Sequence, residues 1–331
     1  MAQVASALHT YITYALLGSG LAYFLAVLLV RALRVDEPIT RTRLMYLCLG
    51  VPLVAYLLLH GLLPGLGLFK ATTPGQASVR GIVGVACQLG YWGSKLLFPF
   101  LATVLGLVLA RILLQALAVR QVVARYGWAP VERYPLLQDV LSSVCPRMGV
   151  AVPRVVVIPQ IHWVCYTFGT LRPVLVMSEG ALALLQEEEL EAVVAHEAAH
   201  IRRRDAFTCG MAAMLRDMMF FTPVAHWSYG VLLQEKEKAA DDLAVKVTEK
   251  PVTYGSTLIK VWRQTCCGQP RRRPWRLVAD PCSHFLWESG SISSRVARIL
   301  EPPRKRRSSF RSQVMLLTIL LVVTFALSFA C

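Results

Sequence analysis

The sequence predicts an α-helical integral membrane protein with four spans and one cytoplasmic α+β domain. Three observations carry that fold class. The 331 residues are 55% hydrophobic and only 17% charged, with a mean hydropathy of +0.51, too apolar for an ordinary soluble chain. Arginines cluster on one side of each long apolar run. Between the third and fourth runs lies a segment that mixes strand-like and helix-like patterns around His196-Glu197-Ala198-Ala199-His200.

A helix needs about 20 apolar residues to cross the hydrocarbon core. Residues 11–30 meet that without a charge, and residues 44–69 do so despite Pro52, His60 and Pro64. Residues 89–110 form a third candidate, with Lys95 and Arg111 placed to snorkel toward opposite interfaces. Residues 314–330 form a fourth, at the short end of the spanning range. The first run has no basic leader and no small-residue cleavage site, so it reads as a retained span rather than a signal peptide.

Orientation follows from the basic residues. The stretch before Tyr11 carries none, whereas Arg31, Arg34, Arg41 and Arg43 follow the first run and only Lys70 and Arg80 follow the second. Arg120, Arg125 and Arg133 follow the third, and Arg304, Lys305, Arg306, Arg307 and Arg311 precede the fourth. All four spans then agree on an outside N-terminus, a cytoplasmic region and an outside C-terminus. The expected division is a membrane domain at 1–118, a cytoplasmic domain at 119–312 and a last span at 313–331.

The net charge of +15 is accounted for largely by these membrane-flanking residues. No nucleic-acid recognition motif accompanies it, so no direct nucleic-acid contact is expected. The nine cysteines are scattered, with several in spans or in the cytoplasmic region, which argues for free thiols. Cys266, Cys267, Cys282 and His284 match no familiar zinc spacing. Cys331 ends the sequence, so no prenylation box is expected.

Within the cytoplasmic region, residues 133–149 have helical spacing of Leu136, Leu137, Val140 and Leu141. Residues 154–158 and 174–177 are β-branched apolar runs bounded by Pro, Gly and Ser, hence strands, with an aromatic, irregular stretch at 161–169 between them. Ser178 is placed to cap a short helix over 179–185. A longer helix is expected over 187–203, with glutamates at its positive end and arginines at its negative end. The apolar stretch 206–233 is interrupted by Arg216, Asp217 and Pro223 and reads as a helical hairpin against the inner leaflet. Residues 235–247 read as helix, 268–274 as a basic loop and 302–311 as a basic tether.

His-Glu-x-x-His on a helix puts two imidazoles one turn apart on one face, where both can bind a single zinc ion. Leu190, Val193 and Val194 supply the apolar side that a buried helix needs. Glu197 then stands beside the remaining coordination position, where it can take a proton from water. Two histidines do not hold a catalytic zinc alone, so a third protein ligand is required. Downstream, Glu237 and Asp241 are four apart and share a helical face. Glu237 is the expected ligand, and Asp241 the expected hydrogen-bond partner of a ligand histidine. Glu235 and Asp242 are not excluded by spacing. Tyr166, His162 and His226 are candidate oxyanion donors, and the strand at 174–177 is a candidate edge for an extended peptide.

The order of these residues resembles the membrane peptidase family of the bacterial BlaR/MecR β-lactam receptors. The resemblance rests on Phe168-Gly169-Thr170-Leu171-Arg172-Pro173-Val174-Leu175-Val176, on the run from Leu190 through His196-Glu197-Ala198-Ala199-His200 to Arg202-Arg203-Arg204-Asp205, on Phe221-Thr222-Pro223 with Trp227, and on Glu235-Lys236-Glu237-Lys238-Ala239-Ala240-Asp241. It covers residues 130–245 best. It implies a gluzincin-type zincin fold with Zn2+ held by His196, His200 and Glu237, and Glu197 as base. It also implies a peptide or protein substrate, with loss of a BlaI/MecI-like transcriptional repressor as the outcome. Those receptors carry an extracellular sensor after the last span, and this sequence stops at Cys331, so direct β-lactam acylation is not expected and the sensor is either missing or supplied by a separate protein. The HtpX/CAAX prenyl protease group shares His-Glu-x-x-His and a downstream Glu-x-x-x-Asp and stands as the alternative. A zinc-stabilised membrane scaffold without catalysis is a third reading, against which the presence of Glu197 counts.

Overall fold

A computed structural model describes residues 14–32, 35–57, 120–130, 133–169, 173–267 and 289–301, with a few positions between 106 and 117. The chain divides into two compact units, one of residues 1–109, 212–232 and 306–331, the other of residues 110–211 and 233–305. The expected cytoplasmic segment 119–312 is therefore shared between them.

In the first unit a π-helical turn, Tyr14–Gly18, leads into α1, Ser19–Ala32, followed by α2, Pro38–Leu57. Ser19, Ala22 and Ala26 form a buried small-residue stripe on α1 that lets the two helices pack closely. α2 buries Leu44, Met45, Cys48 and Leu49. It starts ahead of the expected span at 44–69 because Pro38 supplies a preset first turn, so Arg41 and Arg43 lie within the helix. Among the described residues no helix is long and apolar enough to cross a membrane. The expected spans at 89–110 and 314–330 lie outside the described residues, apart from Gly106, Leu109 and Ala110.

The second unit opens with helical residues 120–126 and then α3, Pro135–Met148. Gly149 ends α3 at φ 74°, a left-handed conformation that suits glycine, and returns hydrogen bonds to the carbonyls of Cys145 and Pro146. Three strands follow: β1, Arg154–Ile158; β2, Cys165–Phe168; and β3, Val174–Ser178. The order is β1-β3-β2, with β1 parallel and β2 antiparallel to β3.

Two expectations are corrected here. The stretch read as irregular contains β2, a four-residue strand whose side chains are all half-buried, so no apolar alternation marks it. The strand at 174–177 has no free edge, because β3 is central and fully buried with neighbours on both sides. Among the described residues β1 and β2 are the two edge strands, on either side of β3.

Side chains alternate across the sheet. Val156, Ile158, Val164, Val174 and Val176, with Tyr166 and Phe168, pack against Val122, Val123 and Tyr126. Leu175 and Met177 face the main core, with α3 and the helices that follow. Ser178 caps α4, Glu179–Leu184, by accepting from the Ala181 N–H at 3.1 Å. Gly180 lies so close to the preceding loop that a Cβ there would stand 1.8 Å from the Ile161 carbonyl oxygen.

α5 runs over Glu187–Arg203 and α6 over Asp205–Met218. After a turn, α7 runs unbroken over Pro223–Thr248. The expected hairpin at 206–233 thus has its break at 219–222, and the helix expected at 235–247 is the second half of α7. Then come α8, Pro251–Cys267, and α9, Ser289–Leu300. The basic loop at 268–274, Cys282, His284 and the tether at 302–311 lie outside the described residues.

Candidate metal centre

α5 is built from both ends. Glu187, Glu188 and Glu189 occupy its first turn, and the Glu189 Oε2 accepts from the Gln186 N–H at 2.9 Å. Leu190, Val194, Ala195, Ala198 and Ala199 are buried, the alanines permitting close packing, and the helix has its most extensive contact with α3. His196, Glu197 and His200 remain part-exposed. The two histidine rings lie edge to face with centroids 4.6 Å apart.

α7 brings Glu237 to them. The His196 Nε2 and His200 Nε2 atoms are 3.1 Å apart, His196 Nε2 is 3.3 Å from Glu237 Oε2, and His200 Nε2 is 3.6 Å from Glu237 Oε1. These three side chains are the cluster of metal-ligand type found among the described residues. Tetrahedral donors at a zinc distance of about 2.0–2.1 Å stand roughly 3.3 Å from each other, so the triangle has the size zinc requires.

The chemistry of the donors agrees. Each histidine directs its Nδ1 at an oxygen: His200 at Asp205 Oδ2 (2.7 Å), His196 at Tyr254 Oη (2.9 Å) and Asp241 Oδ1 (3.2 Å). The Tyr254 hydroxyl donates to Asp241 Oδ1 at 2.8 Å, leaving its oxygen free to accept from His196. With both Nδ1 atoms directed at oxygens, the two Nε2 atoms face each other across 3.1 Å beside the Glu237 carboxylate. That arrangement fits a shared cation.

Sequence reasoning named Asp241 but missed Asp205, Tyr254 and Thr167. Asp205 arrives through a sharp turn: Arg204 adopts φ 53° after α5, and the next residue opens α6 facing back to His200. Arg203 Nε lies 3.3 Å from Asp205. Thr167, on the edge strand β2, donates its hydroxyl to Glu197 Oε2 at 2.6 Å. No pattern in the sequence marks it.

Burial alone would raise the carboxyl pKa values of Asp205, Glu237 and Asp241. His200 and its hydrogen bond, with Lys236 and Arg203, hold Asp205 low; His200, His196 and Lys236 hold Glu237 well below the usual range; Arg295 and His196 do so for Asp241. For His196, burial by itself lowers the pKa, but hydrogen bonds to Asp241 and Glu237 outweigh it and lift the metal-free ring to about 10. Cys165, on the same face of β2 as Thr167, is kept a thiol by burial and by nearby Glu197.

The alternatives to Glu237 go elsewhere: Glu235 pairs with Lys238 at 2.8 Å, and Asp242 with Arg298 at 2.8 Å. Tyr166 packs on the opposite face of the sheet from Thr167, His162 is exposed in the loop before β2, and His226 is bonded to the Phe220 carbonyl at 3.0 Å.

Residues 84–275, more than half of the chain, match the family described as BlaR1 peptidase M56. The chain belongs to the M56 peptidase family. The matched region contains His196, Glu197, His200, Glu237, Asp241 and Tyr254. This M56 chain is also similar to proteins named Protease HtpX homolog. That of Pyrococcus furiosus is 28% identical over 39% of this chain and 57% of its own length. That of Aquifex aeolicus is 25% identical over 56% of each, and that of Salinibacter ruber 28% over 41% and 60%. The chain spans little more than half the length of these relatives.

Proposed function

We propose that this protein is a zinc-dependent membrane endopeptidase that hydrolyses peptide bonds on the cytoplasmic side. The single observation that carries the reading is the triangle of His196, His200 and Glu237 with Glu197 alongside, in a peptidase family. The three residues hold the metal, and Asp241 and Asp205 fix the ring orientation of the histidines. When bound, zinc supplies Lewis-acid polarisation of a carbonyl and acidifies water. Glu197 takes the proton of the attacking water and delivers it to the departing amide nitrogen. Thr167 aims the carboxylate for that task. The edge strand β2 is the one on which an extended substrate can pair, which would set its backbone next to Glu197.

The four-span arrangement, with the N- and C-termini outside, rests on the apolar runs and arginine placement of the sequence, and so does the lipid bilayer as a partner. The biological role we favour is regulatory proteolysis, such as inactivation of a BlaI/MecI-like repressor; the match to the BlaR1 peptidase family supports it. Relatives named HtpX support a second reading, quality control or processing of membrane proteins. Comparing the proteomes of wild-type and Glu197→Gln cells separates the two. One or few stabilised proteins fit regulation, and broad accumulation of membrane proteins fits quality control. Identical proteomes across stresses would contradict peptidase action.

A further inference from the structure

Beyond residue 275, where the family match ends, α9 places one charged side chain in an apolar stripe. Ile292, Arg295 and Ile299 follow one face of the helix and are 5%, 5% and 6% exposed. Arg295 Nε lies 2.7 Å from Asp241 Oδ2, and its Nη2 lies 2.7 Å from Asp241 Oδ1. This is a two-pronged contact that fixes the carboxylate plane. Asp241, itself 1% exposed, then presents Oδ1 to Tyr254 and His196. Arg295 Nη2 also stands 3.7 Å from Glu237 Oε2.

Packing does not explain this pair. Burying a guanidinium and a carboxylate strips both of water at a cost that their attraction only offsets, and a well-packed apolar pair would hold α9 at least as well. The rest of the stripe is apolar, so the fold has that option at the neighbouring turns. What the apolar pair lacks is control over the oxygen that His196 faces.

We propose that Arg295 is a positioning residue of the metal centre: through Asp241 it sets the ring of His196, which makes α9 part of the centre. The proposal rests on the reading of His196, His200 and Glu237 as ligands. Arg298, on the rim of the same helix and paired with Asp242, is the control for α9 docking in general.

The test uses the purified full chain. Zn2+ affinity is measured by chelator competition, and the Co2+ absorption spectrum reports ligand geometry. Arg295→Met is expected to weaken metal binding about 10- to 100-fold, the usual effect of losing a group that orients a ligand, and to change the Co2+ spectrum. Arg295→Lys recovers part of the affinity, since an ammonium restores charge but not the planar fork. Asp241→Asn with Arg295→Met binds no more weakly than Asp241→Asn alone, because both act along one path. Arg298→Met binds as wild type does. Wild-type affinity and spectrum in Arg295→Met would overturn the proposal, as would additive losses in the double variant. If Arg295→Met does not fold, unchanged affinity in Arg295→Lys overturns it. A wild-type chain that binds no metal overturns the ligand reading itself.

Discussion

Thr167 donates its hydroxyl proton to Glu197 across 2.6 Å, tying the edge strand β2 to the helix that carries both histidines. The bond anchors one oxygen of the Glu197 carboxylate to β2. A hydrogen bond to a charged group is worth about 1.5–3 kcal/mol, so Thr167→Val should lower kcat about tenfold or more and change KM little. Thr167→Ser should restore most of the rate. A Thr167→Val enzyme with wild-type kcat would show that the hydroxyl does not position the base.

Glu237 and Asp205, two of the carboxylates at the cluster, have separable roles. On the proposed ligand set, Glu237→Ala should strip the protein of tightly held zinc, as read by metal analysis after gel filtration. Asp205→Asn leaves the ligands in place but gives His200 a weaker partner, and should cost about 10- to 100-fold in metal affinity. Zinc retained in full by Glu237→Ala would move the third ligand elsewhere.

The lifted pKa of His196 makes metal-free stability depend on pH. A histidine whose folded pKa exceeds its unfolded value stabilises the fold fully below the unfolded value, and that contribution fades as pH rises through the folded one. For His196 the window runs from 6.5 to about 10. Denaturant midpoints of the metal-free chain should fall across it. Zinc affinity should rise across the same window as the proton is displaced. Midpoints that rise with pH in the metal-free chain would contradict the account.

Gly180 tests how the fold holds β2. With alanine, the new Cβ meets the Ile161 backbone at 1.8 Å, so the loop ahead of β2 must move and the Gly180 N–H bond to the Gln160 carbonyl is strained. The expected loss is on the order of 1–3 kcal/mol of stability, seen as a lower unfolding midpoint. Activity should fall with it, because β2 carries Thr167. An unchanged midpoint would mean that the loop is free to shift.

These expectations also show which parts of the structure were legible in sequence. α5 was readable because its caps, its apolar side and its histidines all obey one period. α3 was readable for the same reason, with Gly149 as its stop. β2 was not, since its four residues are half-buried on both faces and leave no alternation. The role of β3 was misassigned because a strand buried on both sides looks alike at the centre or the edge of a sheet until its neighbours are known. Helical spacing put Glu237 and Asp241 on one face but left Glu235 and Asp242 open; the structure pairs those two with Lys238 and Arg298 instead. Asp205 lay in plain view five residues after His200, yet only the left-handed turn at Arg204 directs it backward. Arg295 had a signal that went unread, a lone arginine spaced with Ile292 and Ile299 on one helical face.

The most direct test of the account is metal content and peptide cleavage measured together on purified wild-type and Glu197→Gln protein. The account predicts one equivalent of zinc in both and cleavage in wild type alone, abolished when zinc is removed and restored when it returns. Cleavage that persists in Glu197→Gln, or a wild-type protein that holds no zinc, would contradict it.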